Sequence, residues 1–83
     1  MIYKIYIEKK ALKFIEKQSI NKRKIILAAI NSLPSGNTKA MKGHSNLYRL
    51  RVGDYRIIYN IQNEILTINV IDAGNRGQIY NRY

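Results

Sequence analysis

The chain has 83 residues, 46% of them hydrophobic, and sets 15 Lys plus Arg against 5 Asp plus Glu for a formal net charge of +10. That is length for a single domain, residues 1–83, with one modest core. The apolar fraction excludes a disordered basic tail, and the charge favours a polyanion or an acidic protein as partner. There is no Cys, hence no disulfide framework and no thiolate metal site. No apolar run approaches the ~18 residues of a membrane span and no signal-peptide pattern opens the chain, so no membrane is expected and the cytoplasm is the expected compartment.

In chain order, Ile2 to Ile7 alternates and predicts a half-buried strand with Tyr3, Ile5 and Ile7 towards the core. Glu8 to about Lys17 has helical spacing, with Ala11, Leu12, Phe14 and Ile15 on one side and the lysines largely elsewhere. Ser19 and Asn21 are candidate N-caps for a second helix with the apolar stripe Ile25, Ile26, Ala29, Ile30 and Leu33, stopped by Pro34-Ser35-Gly36. So short a connection predicts an antiparallel helix pair. Residues 35–46 lack a period and read as loop. Ile65 to Ile71 reads as the most apolar strand, entered through a tight turn near Asn63, with Leu66, Ile68 and Val70 facing the core. Ala73-Gly74-Asn75 breaks that strand, and a polar tail runs from Arg76 to Tyr83. The order β-α-α-β-β-β predicts an α+β domain, a curved antiparallel sheet with the two N-terminal helices packed on one face.

Between these elements lies the most informative stretch. Leu47 to Tyr59 reads as two strands joined at Gly53-Asp54, a two-residue hairpin turn. The register then pairs Val52 with Tyr55, Arg51 with Arg56 and Leu50 with Ile57. Alternation puts Tyr48, Leu50 and Val52 on one face and gathers Arg49, Arg51 and Arg56 on the other. Like charges directly opposite each other on paired strands repel, on a scale of roughly 0.2–1 kcal/mol. Three arginines with no local acid therefore suggest either an anion site or a solvated basic face.

The order of elements, the Lys39-Ala40-Met41-Lys42-Gly43 loop, the hairpin at 48–59, and Gly74-Asn75-Arg76 followed by Ile79-Tyr80 resemble the RelE/ParE superfamily of bacterial and archaeal toxins over nearly the whole chain. The RelE-like branch consists of ribosome-dependent endoribonucleases that cut messenger RNA in the decoding site and are held off by an antitoxin. The resemblance implies catalytic roles for Arg49, Arg56, Arg76 and Tyr80. It implies RNA contact by Lys42, and His44 and Arg51 join it as candidate RNA-binding residues. Arg49 stands where the best-known relatives carry lysine, and the stretch from Arg76 to Tyr80 is shorter than in some of them. The implied partners are the ribosome, its mRNA and an acidic, RelB-like antitoxin. The alternative branch is a ParE-like toxin that poisons DNA gyrase without being an enzyme.

The chemistry expected of such a site needs no cofactor. A 2′-hydroxyl attacks its own 3′ phosphate, and guanidinium forks match the phosphoryl oxygens on which charge builds. Arginine keeps its proton at neutral pH, so the base must be another group. His44, the one imidazole, and Tyr80 are the candidates. Five dispersed acids and one His offer no metal-ligand cluster.

Overall fold

In the computed structural model, which describes residues 2–83, the N-terminal alternation becomes β1 (Lys4–Ile7), followed by α1 (Lys9–Glu16) and α2 (Ile20–Asn31). Each helix is held by a narrow apolar face: Ala11 and Ile15 of α1, one turn apart, and Ile26 and Ile30 of α2, likewise one turn apart, are all buried. Ser19 caps α2, its Oγ accepting from the Lys22 amide at 3.4 Å. Ile25, expected in the apolar stripe, is exposed, as is Leu12. Both lie at the rim of their stripe, where a helix on an open sheet turns to solvent.

The rest of the chain is β2 (Thr38–Ala40), β3 (Tyr48–Val52), β4 (Tyr55–Gln62), a 3-10 turn at Asn63–Ile65, β5 (Thr67–Asn75), and a C-terminal cap made of the short helix α3 (Arg76–Ile79) and a 3-10 turn at Tyr80–Arg82. The strands form one five-stranded sheet in the order β1-β5-β4-β3-β2. Both helices pack on one face of it. Their buried residues join Leu33, Leu50, Val52, Ile57, Tyr59, Ile68, Val70 and Ala73, with Tyr3, Ile5, Ile7, Phe14 and Tyr55 partly buried at the margin. Each fully buried aliphatic side chain here contributes about 1.5–3 kcal/mol by leaving water.

The α+β class and the two helices on one face stand as expected, with four differences in detail. The sheet is mixed, because β1 pairs with β5 in parallel, Ile5 opposite Ile68 and Ile7 opposite Val70. The helix pair carries the chain away from β1, and β4 and β5 are added later from the other side, so the β1 edge is closed by a distant strand. The segment read as loop contains β2, a three-residue edge strand antiparallel to β3 with Lys39 opposite Arg49. The expected polar tail is a folded cap. Leu66, expected on the core face of a strand, instead occupies the left-handed region (φ 47°) and ends the turn before β5.

The hairpin register is the one the sequence predicts: Val52 opposite Tyr55, Arg51 opposite Arg56, Leu50 opposite Ile57. Gly53 takes φ 56° at the turn. Between β4 and β5 the ladder slips. Ile58 pairs with Asp72 and Tyr59 with Val70, so Ile71 has no partner. This bulge keeps Val70 and Ala73 on the helix face while sending Asp72 and Gly74 to the opposite one.

Candidate active site

The face opposite the helices carries a row across the sheet formed by Lys39, Arg49, Ile58 and Asp72, and a second formed by Arg51, Arg56 and Gly74. The C-terminal cap folds back over it. Its anchor is apolar: Ile79 is buried, as is Ile58 on the strand face, and both stand apart from the main core. Gly74 makes the close approach possible, because a Cβ there would lie 3.2 Å from both Ile79 Cδ1 and an Arg82 terminal nitrogen. At the other end of the cap, the Arg76 amide donates to the Asp54 carbonyl at 2.8 Å and ties the start of α3 to the hairpin turn.

Folding the cap back encloses a cavity of about 380 Å³ lined by Lys39, Ala40, Met41, Lys42, His44, Arg49, Tyr80 and Tyr83. Of the residues singled out from the sequence, Lys42, His44, Arg49 and Tyr80 thus meet in one place. Arg56 lies beneath them. It was expected at the surface and is only 4% exposed. One of its terminal nitrogens donates to the Gly53 and Tyr55 carbonyls at 2.8 and 2.9 Å, which holds the guanidinium against the sheet. Arg51 is exposed on β3, and Arg76 is exposed at the start of α3; neither lines the cavity.

Charge governs this face. Lys39 opposes Arg49, and Arg51 opposes Arg56, each pair on adjacent strands. Nε of Arg49 and Nε of Arg56 are buried and find no acceptor among the described residues. Both features leave the face short of negative charge and of acceptor oxygens, which is the condition an anion relieves. Tyr80 feels this field. Burial acts to raise its pKa, but hydrogen bonding and charge from Arg49 and Arg56 outweigh it and bring the phenol below its ordinary value.

Three functional candidates were absent from the sequence reading. Lys39 sits in a strand too short to announce itself. Tyr83 closes the cavity, its ring meeting His44 edge-on at 5.8 Å between centroids and 76° between planes. Asp72 is 1% exposed, and its carboxylate accepts from Arg82 Nε at 3.0 Å, a second Arg82 nitrogen at 3.2 Å, the Tyr83 hydroxyl at 3.0 Å and its neighbour's amide, Ala73, at 2.9 Å. Lys10 of α1 adds an ion pair at 3.3 Å. Burial acts to raise the Asp72 pKa, yet the donors from Arg82, Tyr83, Lys10 and Ala73 together hold it below the usual carboxylate value. No group of His and acidic residues able to hold a metal ion occurs among the described residues.

Comparison with known proteins agrees with this architecture. A family model described as the ParE toxin of the type II toxin-antitoxin system parDE matches residues 5–80. No curated protein matches the sequence. Among solved structures, the RelE of the RelB-RelE antitoxin-toxin complex from Methanococcus jannaschii is 28% identical at a TM-score of 0.70, covering 94% of this chain and 98% of that one. The archaeal RelE-RelB complex from Pyrococcus horikoshii OT3 matches at 24% identity and a TM-score of 0.76, over 94% and 99% of the two chains. The isolated E. coli RelE toxin matches at 22% and 0.67, over 96% and 93%. With a family model spanning nearly the whole chain and RelE structures sharing its fold end to end, the protein belongs to the RelE/ParE superfamily as a toxin of a type II toxin-antitoxin system.

Proposed function

We propose that this toxin is a metal-independent endoribonuclease that cuts mRNA held in the ribosomal decoding site and so inhibits translation. The observation that carries the reading is the Tyr80 phenol, facing Arg49 and Arg56 in a cavity whose other cations are Lys39 and Lys42. In the proposed reaction the 2′-oxygen of one nucleotide forms a bond to its own 3′ phosphorus. The bond from phosphorus to the 5′-oxygen of the next nucleotide breaks, leaving a 2′,3′-cyclic phosphate and a 5′-hydroxyl. Tyr80, as phenolate, takes the proton from the 2′-hydroxyl. His44, in its imidazolium form, is the cavity group that returns one to the departing 5′-oxygen. Arg49 binds the phosphoryl oxygens, and Arg56 adds charge from beneath. Arg51, Arg76 and Lys42 hold flanking phosphates, which supports affinity without reading bases. Much of the rate comes from positioning, because nucleophile and phosphate belong to one substrate.

The partner proposed for the intact system is an acidic antitoxin of the RelB kind, since structural neighbours from archaea and bacteria are RelB complexes and the chain carries +10. A second reading, a ParE-like toxin acting on gyrase, is favoured by the description of the matching family model. One pair of assays separates the two. Purified 70S ribosomes programmed with a defined message are expected to yield cleavage in the decoding-site codon with a cyclic phosphate end, while gyrase supercoils DNA undisturbed. Gyrase inhibition with the message left intact would overturn the endonuclease reading in favour of the second.

A further inference from the structure

Tyr80 occupies an exposed turn, a poor place from which to hold a reacting group steady. What steadies it lies on either side. Ile79, just before it, is buried against the strand face, with Gly74 cleared of side chain to admit it. Arg82 and Tyr83, just after it, converge on one carboxylate, that of Asp72. The Arg82 contact is a two-nitrogen fork, which fixes orientation as well as distance. Asp72 is itself immobile: it sits within a strand, is fully buried, and accepts from the Ala73 amide and from Lys10 on α1.

A buried carboxylate is costly unless its oxygens are satisfied, and here most of its partners come from the cap. The carboxylate and the cap therefore hold each other. Tyr83, fixed by the same grip, also forms a wall of the cavity against His44.

We propose that Asp72 is a positioning residue of the active site: by gripping Arg82 and Tyr83 it holds Tyr80 against Arg49 in the cavity. It touches no substrate and acts through the cap. The proposal rests on the endonuclease reading where it concerns rate, and on the fold alone where it concerns the placement of Tyr80.

The test uses the purified chain with ring-labelled tyrosine, the Tyr80 signal being assigned by its loss in Tyr80→Phe. Asp72→Asn is the informative variant because two explanations predict opposite signs. Removing a negative charge near Tyr80 by itself eases ionisation of the phenol and lowers its titration midpoint. Releasing Tyr80 from Arg49 and Arg56 raises it towards ordinary tyrosine. The expected result is a folded variant with a raised midpoint. On programmed ribosomes its kcat is expected to fall about 100-fold, the scale of a displacement of an ångström, with KM little changed.

Arg82→Lys keeps the charge but not the fork, and is expected to move the midpoint in the same direction by less. It decides the matter if Asp72→Asn does not fold. A midpoint unchanged or lowered in the folded variants would overturn the proposal. If the parent leaves ribosome-bound message intact, the endonuclease reading fails, while the tyrosine titration still decides whether Asp72 places Tyr80.

Discussion

Tyr80 and Tyr83 are three residues apart and are pushed in opposite directions. The guanidinium groups of Arg49 and Arg56 favour the phenolate of Tyr80, whereas burial and the carboxylate of Asp72 raise Tyr83 from 10.0 to about 12. Because the folded-state value of Tyr83 lies above its unfolded one, its contribution to stability is fully present below pH 10 and lost as pH rises from 10 through about 12. Chemical denaturation at stepped pH is expected to show that loss in the parent, and Tyr83→Phe is expected to be less stable at neutral pH but flatter across this window. For Tyr80, replacement by Phe is expected to lower single-turnover cleavage by about 10²–10⁴-fold, the range of a general base, with the circular dichroism unchanged. At this scale the sequence was partly legible. Lys42, His44, Arg49 and Tyr80, singled out by the family resemblance and by the basic loop, line one cavity. Asp72 was not found, because a single acid within an apolar run gives no sign of which face it will take, and the burial of Arg56 was not found because the element that covers it lies outside the hairpin.

The β3–β4 hairpin is the element most completely encoded in local sequence. Its turn residues and its alternation agree, and the register follows from them without reference to the rest of the chain. The elements that escaped the sequence reading are those settled by distant partners. Thr38–Ala40 is a strand because β3 offers it an open edge, and β1 is parallel to β5 because of where the helix pair leaves it. The cap depends on Gly74 in the same way. Gly74→Ala would bring a methyl group to 3.2 Å from Ile79 Cδ1 and Arg82. The expected cost is about 1 kcal/mol in urea denaturation, the lower end for overpacking, since both neighbours are flexible side-chain ends. A larger loss is expected in cleavage than this stability change would explain, because the displaced turn carries Tyr80.

For the whole molecule, positive charge is spread over both sides. Lys9, Lys10 and Lys13 lie on α1, Lys17 just beyond its end, and Lys22 and Lys24 on α2, in addition to the arginine-rich face that the cap covers, and Lys10 reaches Asp72 at its edge. Such a distribution attracts an acidic partner from most directions of approach and lets oriented contacts form later. For the proposed antitoxin, the association rate is expected to fall steeply from low to high ionic strength while dissociation changes less; stopped-flow binding at graded salt measures it. Net charge was read directly from composition, and the α+β class from the order of periods. Which face of the sheet is basic was read from three arginines, and the cap that covers it was not, since contacts over such a separation leave no local pattern.

The unpartnered Ile71 has a consequence for how such chains should be compared. A protein lacking that one residue would run β5 as an unbroken ladder and still send Val70 and Ala73 inward and Asp72 and Gly74 outward. The count from Arg56 to Gly74 would be one shorter and the three-dimensional arrangement the same. Spacing along the chain is thus an unreliable ruler across this part of the molecule, and a motif written with a fixed interval would reject proteins whose sites superpose. Deleting Ile71 is the direct trial: the shortened chain is expected to fold, with the Arg82 to Asp72 grip intact.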